Sequence, residues 1–162
     1  MQSQDDFLIN YTFDEIQLGD TASVSHQLTE KDIHLFAIVS GDINPAHVDV
    51  EYAKTHIFHK VVAHGMWGGA LISTVLGTKL PGPGAIYLSQ SLKFLYPVGV
   101  GDTITATVTV TQKFPGKHHV ELACQCTNQD GKIVIEGVAL VLAPVEKICR
   151  EKVVLPEVVF KD

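Results

Sequence analysis

Between Gly65 and Lys79 the chain reads GMWGGALISTVLGTK, a run in which almost every side chain is apolar or small. The run is longer than a usual strand, and a helix that is apolar all round is normally enclosed by the rest of its domain. Gly68 and Gly69 each weaken such a helix by ~1 kcal/mol relative to Ala, which makes sense where another backbone passes close to it. These residues predict a buried central helix with a sheet wrapped around it.

The sequence that follows supplies the sheet. Ala85 to Leu95 and Asp102 to Phe114 are strand-like; the second places Ile104, Ala106, Val108 and Val110 on one face against Thr103, Thr105, Thr107, Thr109 and Thr111 on the other. His118 to Thr127 and Lys132 to Ala143 continue an antiparallel meander, with Asp130-Gly131 as a tight turn and Lys113 to His119 as a longer hairpin loop. Ahead of the central helix, Gly19-Asp20 marks a turn before an extended Thr21 to Leu28. Thr29-Glu30-Lys31-Asp32 reads as a capped helix start, and Ile33, Phe36, Ala37 and Val39 give a stripe that ends at Gly41. Val50 to Thr55 reads as a short helical turn. This order is α+β, one helix lying in a curled sheet. Residues 1–11 read as a loose lead-in, 12–144 as the domain, and the more charged 145–162 as a C-terminal tail or linker.

Composition narrows the function. A chain of 162 residues with 46% apolar content can form one domain with a real core, and 19% charged residues is low enough to suggest a covered oligomer face. A formal charge of −6 argues against a dedicated nucleic-acid binder. No apolar run of about 18 residues is free of Gly, Pro and charge, so no membrane span is expected. The acidic Met1 to Asp6 lacks the features of a signal peptide, which makes a cytoplasmic location the default. Cys124 and Cys126 alternate onto one strand face and are expected to stay reduced. His56 and His59 read as solvated loop residues, and no metal site is expected because no partner carboxylate has the spacing of a zinc motif.

The chemistry concentrates in Ser40-Gly41-Asp42-Ile43-Asn44-Pro45-Ala46-His47, followed by His64-Gly65-Met66. Asn44-Pro45 favours a turn and pushes the residue before proline away from the α region. Asp42 and His47 are therefore expected on an irregular loop, converging on one small object, for which water is the natural choice. A carboxylate and a neutral imidazole can take one proton from a water and return another. Gly65 opens the apolar helix, where the first N–H groups have no intrahelical partner and lie at the positive end of the dipole. Without a side chain, Gly65 lets a carbonyl oxygen approach its amide closely. His64 reads as a structural residue orienting the turn before Gly65. Trp67 reads mainly as a core residue, one bulky enough to shorten a pocket beside it.

Phe36 to Asp49, Ala63-His64-Gly65-Met66, Leu80-Pro81-Gly82-Pro83-Gly84 and Pro97-Val98-Gly99-Val100-Gly101-Asp102 together resemble the MaoC-like (R)-specific enoyl-CoA hydratases, the hydratase 2 group, over roughly residues 12–143. Trp67-Gly68-Gly69-Ala70-Leu71-Ile72-Ser73 also resembles the hydratase domain of bifunctional hydratase/phosphate acyltransferases. The resemblance implies a hot-dog fold and reversible syn hydration of trans-2-enoyl-CoA, with Asp42 and His47 sharing the catalytic water and the Gly65 amide polarising the thioester carbonyl. It gives Ser73 a hydrogen-bonding role near the site, implies a homodimer or higher oligomer, and makes CoA the carrier of the substrate with no separate cofactor. A carrier-protein dehydratase using the same pair, or a non-catalytic acyl-CoA-binding domain, are the alternatives. The absence of Asp and Glu from Gly65 to Lys79 disfavours a hot-dog thioesterase.

Overall fold

Alternation in the C-terminal half becomes an antiparallel sheet because one face of each strand can be buried against a single helix. The computed structural model describes residues 4–161, so Met1 to Ser3 of the predicted lead-in and the terminal Asp162 lie outside the described residues. Its strands are β1 (Phe7–Ile9), β2 (Thr21–Gln27), β3 (Ile86–Phe94), β4 (Thr103–Phe114), β5 (His119–Thr127), β6 (Ile133–Leu142) and β7 (Cys149–Glu151). The helices are α1 (Glu30–Ser40), α2 (Pro45–Val48), α3 (Val50–Thr55) and α4 (Gly65–Thr78). Five strands form the main sheet in the order β2-β4-β5-β6-β3, with every pairing antiparallel.

The predicted face of β4 is the inner one: Ile104, Ala106, Val108 and Val110 are all buried. They share one core with Ile72, Val75 and Leu76 of α4 and with Leu122, Cys124 and Cys126 of β5. The predicted central helix packs one face on the curled sheet, and its other face, with Met66, Ala70, Ser73 and Thr74, is exposed in the single chain. Gly68 faces Ile135 and Cys126, and Gly69 faces Leu92 and Met66, so side chains stand where the sequence suggested a passing backbone. A Cβ added to Gly68 would lie 2.2 Å from Ile135 Cδ1, so the glycine marks where the helix meets β6 most closely. The Cys126 thiol donates to the Gly68 carbonyl across the same contact (3.6 Å). Burial pushes the Cys126 thiol up to about 12.

Helix α1 begins as its sequence requires. The Asp32 N–H donates to Thr29 Oγ1 (3.2 Å), and the Thr29 N–H donates back to Asp32 Oδ2 (2.8 Å), a reciprocal capping box. It ends at Gly41, whose left-handed backbone (φ 77°) carries the chain straight into Asp42.

Both predicted chain ends need correction. Residues 1–11 are not a loose lead-in throughout: β1 pairs with β7, Phe7 opposite Glu151 and Ile9 opposite Cys149. The joint is held by Asn10, which is fully buried. Its amide donates to the Glu146 carbonyl (2.9 Å) and its Oδ1 accepts from the Ile148 N–H (2.9 Å). The segment predicted as tail or linker thus starts as part of the fold. Beyond β7 it runs back over α1, where Lys31 Nζ donates to the Val158 carbonyl and Phe160 meets the His34 ring edge-on at 5.9 Å.

Replacing Thr29 by Ala removes the cap that sets the start of α1, and should cost about 1 kcal/mol of stability. Urea unfolding at pH 7 checks this through a lowered midpoint at an unchanged slope.

Candidate active site

The backbone around Asp42 is built from short-range turn chemistry. The Ser40 hydroxyl donates to the Phe36 carbonyl (2.6 Å) and accepts from the Asp42 N–H (3.2 Å). The Asn44 N–H donates to Asp42 Oδ1 (3.1 Å). Oδ2 accepts no hydrogen bond among the described residues, and Asp42 is exposed.

His47 does not lie on an irregular loop as expected. Pro45 occupies the first position of the short helix α2, with Asn44 as its cap, the Ala46 N–H donating to Asn44 Oδ1 (3.0 Å). Proline suits that position because its missing N–H would have no partner there, while Asn44 stays extended as the residue before a proline must. One turn of helix then presents His47. Its Nδ1 lies 2.7 Å from the Val62 carbonyl. A carbonyl can only accept, so in the neutral ring Nδ1 carries the proton and the Nε2 lone pair is free to act as a base.

His64 is the residue whose place the sequence understated. It is buried (3% exposed), its Nε2 donates to the main-chain carbonyl of Asp42 (2.9 Å), and its ring stacks on His47 with centroids 4.0 Å apart. Asp42, His47 and His64 each offer a donor atom within 4.8 Å of the others. The two imidazoles are tilted by 31° to one another, and His64 Nε2 is committed to a carbonyl. The signal available was the His-Gly pair placed directly before an apolar helix.

His64 also precedes α4 as its N-cap, yet gives it no side-chain cap. The Trp67 N–H donates to the His64 carbonyl (3.0 Å), while the Gly65 and Met66 N–H groups have no partner among the described residues. Gly65 lines a cavity of about 270 Å³ together with His47, His64, Trp67, Phe94, Tyr96 and Ile135. The Phe94 ring covers Gly65 so closely that an added Cβ would lie 2.9 Å from it. A larger cavity of about 600 Å³, lined by Asp5, Asp20, Lys79 and Lys152 among others, contains none of the predicted site residues.

Ser73 is elsewhere. Eight residues along a helix is about 12 Å of rise and about 80° of rotation, and Ser73 accordingly lines a separate groove with Phe36, Met66, Ala70 and Tyr87. Among the described residues no hydrogen bond joins it to Asp42 or His47. His56 also departs from expectation: it is half-buried between Tyr52 and Phe58 (ring centroids 5.8 and 5.2 Å), while His59 is exposed.

An antiparallel sheet curled around one buried helix, with a carboxylate and an imidazole gathered at that helix's N-terminus, defines the hot-dog class of α+β domain. Within that class the MaoC like domain family matches residues 16–129. The (R)-specific enoyl-CoA hydratase of Rhodospirillum rubrum is 53% identical over 142 residues, covering 88% of this chain and 97% of that one. Among solved structures, the R-hydratase PhaJ1 from Pseudomonas aeruginosa superposes with a TM-score of 0.92 at 42% identity, covering 96% of this chain and 99% of that one. The (R)-hydratase from Aeromonas caviae involved in PHA biosynthesis gives 0.77 at 39% identity, over 80% of this chain and 98% of that one. The chain belongs to the MaoC-like family.

The turn that supports Val62 is itself tied by a carboxylate. Asp102 accepts from the Gly99 N–H (2.8 Å) and from the Gln129 amide (2.9 Å), and Gly99 bridges Val62, the acceptor of His47. Partial burial pushes the Asp102 carboxyl up, but the Gly99 and Gln129 hydrogen bonds and the Lys60 charge outweigh it, so the net shift is downward. A carboxyl whose folded pKa is lowered adds stability above its unfolded value of about 3.9 and loses it as pH falls through the folded value. Asp102→Asn should therefore lower the urea midpoint at pH 7 by the equivalent of about 1 kcal/mol. The gap to wild type should close in the acid range below the ordinary carboxylate pKa.

Proposed function

We propose that this protein adds water reversibly to trans-2-enoyl-CoA with syn geometry, forming (R)-3-hydroxyacyl-CoA. The observation that carries the reading is that His47 and the Gly65 amide line one apolar cavity, with Asp42 beside His47. In this reading a water lies between Asp42 and the free Nε2 of His47. One of the pair takes a proton as the oxygen bonds to C3, and the C2–C3 π electrons move toward the thioester carbonyl. The Gly65 N–H holds the negative charge that develops on that oxygen, a preorganised donor of the kind worth ~3 kcal/mol in the transition state. Collapse of the enolate takes a proton onto C2 from the same pair, so both additions come from one side. No order of proton transfer between the two groups is assigned.

CoA enters this reading as the carrier of the substrate, and no further cofactor is invoked. The supporting features for a homodimer are the sheet edge at β3 and its exposed apolar side chains Ile86, Leu88 and Phe94, because a free apolar edge is normally paired or covered. Among the described residues no helix is long and apolar enough to cross a membrane; a cytoplasmic location is the setting proposed. Dehydration of 3-hydroxyacyl groups on a carrier protein would use the same pair with a different docking surface. It is separated from the CoA reading by comparing kcat/KM on the two carriers. A binding domain would turn over neither.

Two outcomes test the assignment. Loss of the enoyl-thioester absorbance of crotonyl-CoA, with chiral analysis of the product, should show (R)-3-hydroxybutyryl-CoA. Asp42→Asn and His47→Gln should each lower kcat by about 10² to 10⁴, the usual span of general acid–base catalysis. Wild-type rates in both variants would remove the pair from the chemistry. Trp67 lines the cavity together with Gly68 and Ile135. Trp67→Leu should raise kcat/KM for octenoyl-CoA relative to crotonyl-CoA by about 10-fold, and an unchanged ratio would place the acyl chain elsewhere.

A further inference from the structure

Asp42 is held by three hydrogen bonds, and two of them are local. Ser40 Oγ and the Asn44 N–H lie two residues away on either side, so they shape the turn but would travel with it wherever it swung. The third comes from His64, twenty-two residues distant and the residue directly before Gly65. Among the described residues it is the one hydrogen bond linking residues 40–44 to a distant part of the chain. The His64 ring is also wedged between Phe36 of α1 (centroids 4.9 Å) and His47 of α2 (4.0 Å).

We propose that His64 is a positioning residue that sets the distance between the two halves of the site, the Asp42–His47 pair and the Gly65 amide. The proposal rests on the hydratase reading. Its Nε2–H pins the Asp42 carbonyl, its face supports the His47 ring, and its own backbone leads into the first amide of α4. The protonation is fixed by the acceptor: a carbonyl takes a proton only from Nε2–H, which leaves Nδ1 as a lone pair. That Nδ1 is buried with no partner among the described residues. A phenylalanine would fill the same apolar space without leaving an unsatisfied buried acceptor, and such a group in a native fold calls for an explanation. The tether to Asp42 provides one.

The role separates from simple packing by dividing the ring's two properties. His64→Gln keeps an N–H near the position of Nε2 and loses the ring; His64→Phe keeps the ring and loses the donor; His64→Ala loses both. Misplacing reacting groups by about 1 Å can cost ~10²-fold in rate. On crotonyl-CoA, His64→Phe and His64→Ala should lose about 30-fold or more in kcat with KM within about 3-fold. His64→Gln should recover to within about 5-fold of wild type. A His64→Phe enzyme with wild-type kcat would overturn the proposal, as would a folded His64→Gln no better than His64→Phe.

A second measurement needs no variant. In ¹⁵N-histidine-labelled wild-type protein, His64 should show the Nε2–H tautomer with a slowly exchanging proton, and His47 the Nδ1–H tautomer. An Nδ1–H tautomer at His64 would sink the tether even if the enzyme is active. Failure of the wild type to hydrate any enoyl-CoA would count against the hydratase reading, and the tautomer would still decide whether the Asp42 contact exists.

Discussion

The close packing of the inner face of α4 on the sheet is the constraint on which the rest depends. At Gly68 the helix surface meets Ile135 with no room for a Cβ, and the Cys126 thiol reaches the carbonyl of the same residue. A helix turns about 100° per residue, so fixing which residue faces β6 fixes the rotation of all the others. Gly65 is thereby presented to the cavity under Phe94, and Ser73, about 80° further round, is not. The Gly65 amide is thus placed by apolar packing in the core. Interiors are too densely packed to allow this contact to drift without loss of stability.

Main-chain carbonyls, rather than carboxylates, decide where the imidazole protons sit. Val62 accepts from His47 and Asp42 accepts from His64 through their carbonyl oxygens. A histidine oriented by a carboxylate is held by a partner that itself titrates, whereas a carbonyl remains an acceptor across the working pH range. The tautomers of both rings are therefore tied to the fold. That leaves Asp42, with one oxygen held by the Asn44 N–H and the other unengaged, as the acidic member of the pair beside His47.

Much of this was legible because the relevant forces are local or periodic. The buried helix, the inward face of β4, the capped start of α1 and the Asp42–His47 segment all follow from patterns within a dozen residues. The pairing of β1 with β7 joins positions 140 or more residues apart, and neither three-residue segment carries a pattern of its own. Asn10 shows why: a buried asparagine reads as an ordinary loop residue until its partners, Glu146 and Ile148, are seen to come from the other end of the chain. Asn-Pro points to a loop at His47 because it breaks helices, yet the same dipeptide also starts them, and the Asn44 cap on α2 shows which applies. His64 belongs to the same group, since its contact with Asp42 is made by folding.

The openness of Asp42 bears on how the chemistry is completed. Aimed donors and charged groups act most strongly where water is excluded, but in the single chain Asp42 is exposed, and its neighbours Ile38, Val39 and Ile43 are more than two-thirds exposed. Apolar side chains grouped around a reactive carboxylate are costly to leave in water and useful once covered. The same holds for the β3 edge, where Ile86 and Phe94 remain half in solvent although Phe94 also forms the roof over Gly65. A second subunit on that edge would bury Phe94 and stiffen the cavity wall. A bound acyl thioester would then exclude water from the remaining opening. In the proposed reading the low charge content of the chain and the exposure of its carboxylate would have one physical explanation: the fold of one chain builds the wall beside Gly65, and desolvation of the pair would be supplied on assembly and binding.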